Sequence, residues 1–275
     1  MVRNAINLIP DRTDPAYRPS PRALRRILCG EAPIRYGDRI ARITVLEHGG
    51  HRRPVIHRGS KHSRFRFTSR KTGLTQLGEG RIEEFCAYRC ETDGDVVDYQ
   101  CHPFEIETIC PDGPFSYRPD LVLQRRDGPV ELIELKRTPD DIDDPEYRER
   151  LATIREVVRR VGWRFRILYA ADVYGETDEI RRQRLRNVES IFGHRSLKLS
   201  ANELRTAQRL VGRGSAMTWR VLRDAVAPGD PLAGNDVVES LLARGVIVTD
   251  VDLPFHHKTV LEPVRPFRGP SLIRL

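Results

Sequence analysis

Tyr117-Arg118-Pro119-Asp120 is followed, fourteen residues after its aspartate, by Glu134 within Val130-Glu131-Leu132-Ile133-Glu134-Leu135-Lys136. Reading these two segments as neighbouring strands decides the fold. Glu134 and Lys136 are two apart, so a strand points both to one face. That face then carries two charges amid Leu132, Ile133 and Leu135, which is costly unless a bound ion or substrate compensates. The simplest compensator is a divalent cation held by Asp120 and Glu134, with Lys136 beside an attacking water or a phosphate. A half-buried strand with charged edges has the same pattern, so the neighbouring sequence has to discriminate.

Composition sharpens the lysine. Of 47 Lys and Arg residues only five are Lys: Lys61, Lys71, Lys136, Lys198 and Lys258. A chain that writes nearly every positive charge as Arg has Lys at this position. An ammonium is a compact charge whose pKa falls readily on burial, whereas a guanidinium stays protonated.

At 275 residues, 39% hydrophobic and 31% charged, the chain has room for one large domain or two modest ones. No apolar run approaches the ~20 residues that span a bilayer, and Met1–Pro10 lacks the apolar region of a signal peptide. The expected location is therefore intracellular, cytoplasmic and nucleoid-associated in a bacterium. Five cysteines fit a reducing compartment. The spacing of Cys86, Cys90, Cys101 and Cys110 lacks the tight pairs of structural zinc sites, so these read as small buried hydrophobes.

The net charge of +8 is concentrated. Between His48 and Gly78 stand eight basic residues and no acidic one, so the rest of the chain sums to zero. The basic residues are Arg52, Arg53, Arg58, Lys61, Arg64, Arg66, Arg70 and Lys71. A charge run is commonly a solvated tail. Here Arg64-Phe65-Arg66-Phe67-Thr68 alternates like a strand, and the aromatics argue against disorder. Contact with a phosphate backbone is the expected role, with Arg58, Lys61, Arg64, Arg66, Arg70 and Lys71 as the DNA-binding set.

The remaining pattern is helix, antiparallel strands, helix, strand, then helices. Residues 1–47 read as an irregular, proline-punctuated segment with one short helix at Pro21–Leu28. Residues 48–172 read as an α/β domain. It has a helix from Glu79 to about Glu91 and strands at Val96–His102, Phe104–Cys110, Phe115–Gln124 and Val130–Arg137. A helix at Asp144–Val161 and a strand at Trp163–Ala170 complete it. Residues 173–275 read as a helical domain ending in two strands, at Gly245–Val251 and Lys258–Leu261. Three short helices (Ala201–Val211, Thr218–Ala227, Asn235–Arg244) before a hairpin suggest a winged helix, for DNA contact or for protein docking.

The ordered run Arg70-Lys71-Thr72-Gly73, Glu79-Gly80-Arg81-Ile82-Glu83, Asp95-Val96-Val97-Asp98-Tyr99-Gln100, Tyr117-Arg118-Pro119-Asp120 and Ile133-Glu134-Leu135-Lys136 resembles the TnsA family over about residues 50–170. This family comprises the endonuclease subunits of heteromeric transposases. Two departures stand out: Gly80 and Ile82 where Ser and Leu are usual, and Gln100-Cys101-His102-Pro103 in place of a Gln-Pro element. The resemblance implies a restriction-endonuclease-like PD-(D/E)xK core, a mixed sheet flanked by helices, with a C-terminal winged-helix-like domain that contacts partner subunits. It implies a further acid from the helix, by position Glu83, with Glu84 and Glu79 in reserve. It also implies cleavage of one strand at transposon ends in double-stranded DNA. A separate integrase-like transposase would handle the other strand, alongside a regulatory ATPase.

Independently of the family, phosphodiester hydrolysis needs neutralised phosphate charge, an activated water and a stabilised leaving oxygen. Asp120 and Glu134, with Glu83 completing the shell, suit Mg²⁺, with Mn²⁺ as a substitute. Glu83, Asp120, Glu134 and Lys136 are then the catalytic set. No zinc motif or nucleotide-binding loop competes. The alternatives are a stand-alone restriction or repair nuclease and a non-catalytic DNA-binding assembly subunit of the same fold.

Overall fold

The computed structural model describes residues 2–6, 34–36, 39–46, 63–110 and 113–264. The chain divides into two compact units. One takes the described residues up to Glu84 and Val97–Val173; the other takes Phe85–Val96 and the described residues from Tyr174 on.

The first unit is built on a four-stranded sheet. Its strands are β6 (Val96–Cys101), β9 (Leu121–Arg125), β10 (Val130–Lys136) and β11 (Arg164–Tyr169), in the order β11-β10-β9-β6. β9 and β10 are antiparallel, with Leu132 opposite Val122 and Ile133 opposite Leu121. β10 and β11 are parallel, with Glu134 opposite Ile167. A parallel neighbour requires a crossover, supplied by helix α2 (Pro145–Arg160). That helix starts on Asp144, whose side chain accepts from the Glu146 N–H, with Pro145 in the first turn and Arg159 and Arg160 in the last.

Leu151, Ile154, Val157, Val158 and Val161 recur at helical spacing and pack against Val122, Val130, Leu132 and Phe165 of the sheet and Trp163 just before β11. Ile154, Val157 and Val158 have no exposed surface. Each contributes about 1.5–3 kcal/mol of transfer free energy. Because β10 is buried on both faces, Glu131 and Glu134 lie within the sheet rather than at its rim.

A second sheet holds β1 (Val2–Ile6), β3 (Arg39–Leu46), β7 (Phe104–Cys110) and β8 (Gly113–Tyr117) in that order, with β2 (Ile34–Tyr36) on β3. Residues 1–47 were expected to be irregular; three strands are described there instead. Arg39–Leu46 is rich in β-branched and apolar residues, and β7 supplies its partner, with Val45 opposite Phe104 and Ile43 opposite Ile106. That pairing is too long-range for local sequence to reveal. The expected helix at Pro21–Leu28 lies outside the described residues.

Two boundaries differ in ways that matter for the site. Phe115–Gln124 is not one strand: it breaks at Arg118-Pro119-Asp120, where proline removes a ladder donor. β8 ends in one sheet and β9 begins in the other, leaving Asp120 at the crossing point. The helix expected from Glu79 is α1 (Arg81–Thr92). Glu79 instead closes β5 (Thr75–Glu79), which pairs with β4 (Arg64–Thr68) in a two-stranded hairpin that buries Phe65 and Phe67.

The second unit takes in most of α1, where Phe85 stacks on Tyr174 and Tyr88 on Phe192. After the short α3 (Ala170–Tyr174) come α4 (Asp178–Gly193), α5 (Ala201–Val211), α6 (Trp219–Val226) and α7 (Pro231–Ala243). Thr177, Ser200, Thr218 and Asp230 cap these last four helices. Met217–Thr218 (β12), Ile247–Val248 (β13) and Val260–Pro263 (β14) form a small sheet with β14 in the middle. Trp219, Leu222, Val238, Leu241 and Leu261 fill its core, and the Trp219 indole donates to Asn235 Oδ1 at 2.8 Å. Among the described residues no helix is long and apolar enough to cross a membrane.

Candidate active site

Strand parity places Glu134 and Lys136 side by side: Lys136 Nζ stands 2.7 Å from Glu134 Oε1. Glu134 is 5% exposed, and both its oxygens are engaged. The Tyr117 hydroxyl, three residues before Asp120, donates to Oε2 at 2.6 Å. The Tyr147 hydroxyl, in the first turn of α2, donates to Oε1 at 2.7 Å. Lys136 Nζ also lies 5.0 Å from the centre of the Tyr147 ring.

Asp120 reaches the same strand from the break after β8, where its Oδ2 accepts the Leu135 N–H at 2.7 Å. Glu83, in the first turn of α1, accepts the Glu79 N–H on Oε2 at 3.0 Å. The same oxygen lies 3.0 Å from His102 Nε2. Gly78 leaves room for this carboxylate, since a Cβ there would stand 2.7 Å from Glu83 Oε2 and 2.3 Å from the Phe65 ring.

These groups perturb one another. Burial, then the charges of Glu134 and Glu83, push the Asp120 carboxyl up to about 8, against the opposing Leu135 N–H and His102. Burial, reinforced by Glu134, drives the Tyr117 phenol well above its ordinary value and the Tyr147 phenol up to about 12. Burial pulls the Lys136 ammonium down, but its contacts with Glu134 and Tyr147 outweigh it and the net direction is up. Burial alone would lower the pKa of a lysine ammonium. Here the neighbouring carboxylate reverses that trend, so Lys136 stays charged.

The Asp120 shift gives a stability prediction. Its folded value lies above the unfolded ~3.9, so in between the folded state holds more protons and stability falls as pH rises towards 8. Asp120→Asn keeps an acceptor for the Leu135 N–H and removes the charge. In EDTA it should match wild type near pH 4 and exceed it increasingly towards pH 8. Because Asp120 keeps part of its surface in solvent, the expected gain is about 1–2 kcal/mol rather than the full shift. Urea denaturation at the two pH values measures it. A constant difference would show that Asp120 is not repelled by its neighbours.

The two reserve acids are engaged elsewhere. Glu79 Oε1 lies 3.5 Å from Arg64 Nε, and Glu84 pairs with the exposed Arg81 at 3.2 Å. Glu83 is the helix acid whose charge acts on Asp120. Of the expected DNA-binding set, Arg58 and Lys61 lie outside the described residues. Arg64 pairs with Glu79, Arg66 and Arg70 are exposed, and Lys71 is half-buried.

Tyr117, Tyr147 and His102 were not among the expected site residues. Tyr117 stood inside the quoted motif, and His102 stood where the Gln-Pro element departs from the family pattern. Tyr147 gives no local signal, since only the packing of α2 on the sheet brings it to Glu134.

The donor set is all oxygen apart from one imidazole, and burial, followed by the charges of Glu134 and Glu83, raises the Asp120 carboxyl. Oxygen donors of this kind are those a hard divalent cation accepts. Among the described residues no three His, Cys, Asp or Glu side chains already form a closed cage. Few carboxylates supplemented by waters and phosphate oxygens is the shell Mg²⁺ accepts.

Asp120 at the break before β9, with Glu134 and Lys136 on β10, brings two carboxylates and an ammonium together at one place on the sheet. Residues 93–170 match the family model of the TnsA-like endonuclease N-terminal domain. Over that segment the chain is similar to the N-terminal domain of TnsA-like endonucleases. The match covers Asp120, Glu134 and Lys136 along with His102, Tyr117 and Tyr147, and Glu83 lies before it. No curated protein matches the chain.

Proposed function

We propose that the protein is a Mg²⁺-dependent DNA endonuclease that hydrolyses a phosphodiester on one strand at transposon ends, as the nuclease subunit of a heteromeric transposase. One observation carries this reading: Asp120, Glu134 and Lys136 meet on the end of β10, inside the segment that matches the endonuclease family. Asp120 and Glu134 would hold the cation, with Glu83 completing or orienting its shell. The bound ion would neutralise charge on the scissile phosphate. Tyr117 and Tyr147 hold the Glu134 carboxylate from two sides, and the Leu135 N–H holds Asp120. The Lys136 ammonium, kept charged by its neighbours, orients the attacking water and stabilises negative charge that builds on the phosphate.

The second unit supports a docking role. Helices α5, α6 and α7 followed by the β13–β14 pair have the order of a winged helix, and the stretch from Leu197 to Leu261 has little net charge. Its partners in this reading are an integrase-like transposase and a regulatory ATPase.

DNA contact by the basic hairpin is tested by salt dependence. Each phosphate contact contributes about 0.9 to the slope of log affinity against log salt. Arg66→Gln with Arg70→Gln should lower the slope by about 2, equally on end-containing and random duplexes. Arg64→Gln should change it less, because Glu79 already engages that guanidinium. An unchanged slope in the double variant would remove the hairpin from the DNA interface.

A further inference from the structure

We propose that His102 is a positioning residue that ties Glu83 to the Pro119–Asp120 break and so sets the helix carboxylate towards the metal site; this rests on the metal-site reading above. Three connections leave this one residue. Its Nε2 stands 3.0 Å from Glu83 Oε2. Its backbone N–H donates to the Asp120 carbonyl at 2.9 Å. Its ring also hydrogen-bonds the Pro119 backbone, which offers only a carbonyl.

The backbone shows that this placement is costly. Among the described residues His102 is alone, apart from glycines, in having a positive φ, at +44°. Glycine would occupy this conformation with less strain. The imidazole is what the position gains in exchange. Gln100-Cys101-His102-Pro103 carries the chain from β6 into β7, and His102, in its left-handed turn, sets its ring against Glu83. Glu83 and Asp120 lie on different elements, and His102 hydrogen-bonds both.

A simple structural staple and a positioning residue predict different outcomes, and two variants separate them. His102→Gly removes the ring and relieves the strained φ. His102→Gln keeps the strain and restores a donor at about the reach of Nε2. Outer partners of metal ligands are worth about 10- to 100-fold in metal affinity. The Mn²⁺ dissociation constant of the full chain, measured by calorimetry, should therefore rise about 10- to 100-fold in His102→Gly. In His102→Gln it should return to within about threefold of wild type. Melting temperatures of both should stay within a few degrees of wild type. As a readout independent of metal, Glu83→Gln should shift the His102 ring ¹⁵N resonances.

Equal Mn²⁺ affinity in wild type and His102→Gly overturns the inference alone. So does a Gln variant no better than Gly, or a ring resonance indifferent to Glu83→Gln. A wild type that binds no Mn²⁺ overturns the metal reading, and this inference with it.

Discussion

Asp120→Asn and Glu134→Gln should each abolish strand cleavage while leaving the fold intact. Loss of a cation that stabilises the transition state by several kcal/mol corresponds to a rate decrease of about 10³-fold or more. The amide variants are the cleaner choice. Glu134 accepts from Tyr117, Tyr147 and Lys136, so Glu134→Ala would strand buried donors and lose stability for reasons unrelated to chemistry. Glu134→Gln retains one oxygen acceptor and nearly the same shape. Asp120→Asn still accepts the Leu135 N–H. Nicking of an end-containing plasmid in Mg²⁺ or Mn²⁺, read beside thermal melts, is the check. Wild-type rates in either variant would remove that carboxylate from the centre.

Lys136→Ala should lower the cleavage rate by about 10²- to 10³-fold with little change in DNA affinity, because the ammonium acts on charge that develops in the transition state. Lys136→Arg should not restore full activity. The ammonium sits in a short contact with Glu134 at 2.7 Å and faces the Tyr147 ring, a space set for a point charge rather than a planar fork. Its raised pKa has a further consequence. The stabilising contact is complete below the unfolded value near 10.4 and is lost only as pH rises beyond it. No loss of activity between about pH 6 and 9 should therefore trace to Lys136. Full activity in the Arg variant would show that any fixed positive charge suffices.

The parts of this site that follow from local period were legible in the sequence. Glu134 and Lys136 share a face because strands alternate, and Pro119 with Asp120 marked a second segment close by. The break at Pro119 was harder to read, since apolar residues continue on both sides from Phe115 to Gln124. Only the sheet pairing shows that β8 and β9 part company there. The swap of Glu79 from helix to strand has a similar cause, because its partner Arg64 lies across the hairpin. Tyr147 and His102 depend on tertiary placement, one by helix packing and the other by a left-handed turn. In His102's case a departure from the family pattern was visible, although its purpose was not.

The proposed nuclease chemistry stands or falls on whether Asp120 and Glu134 bind a divalent cation beside Lys136. A crystal soaked in Mn²⁺ and measured at the manganese absorption edge tests it most directly. One anomalous peak is expected within about 2.2 Å of oxygens from both carboxylates, with Glu83 as a direct or water-linked neighbour. A map with no peak there, with Glu134 still held by Tyr117 and Tyr147 at saturating Mn²⁺, would contradict it.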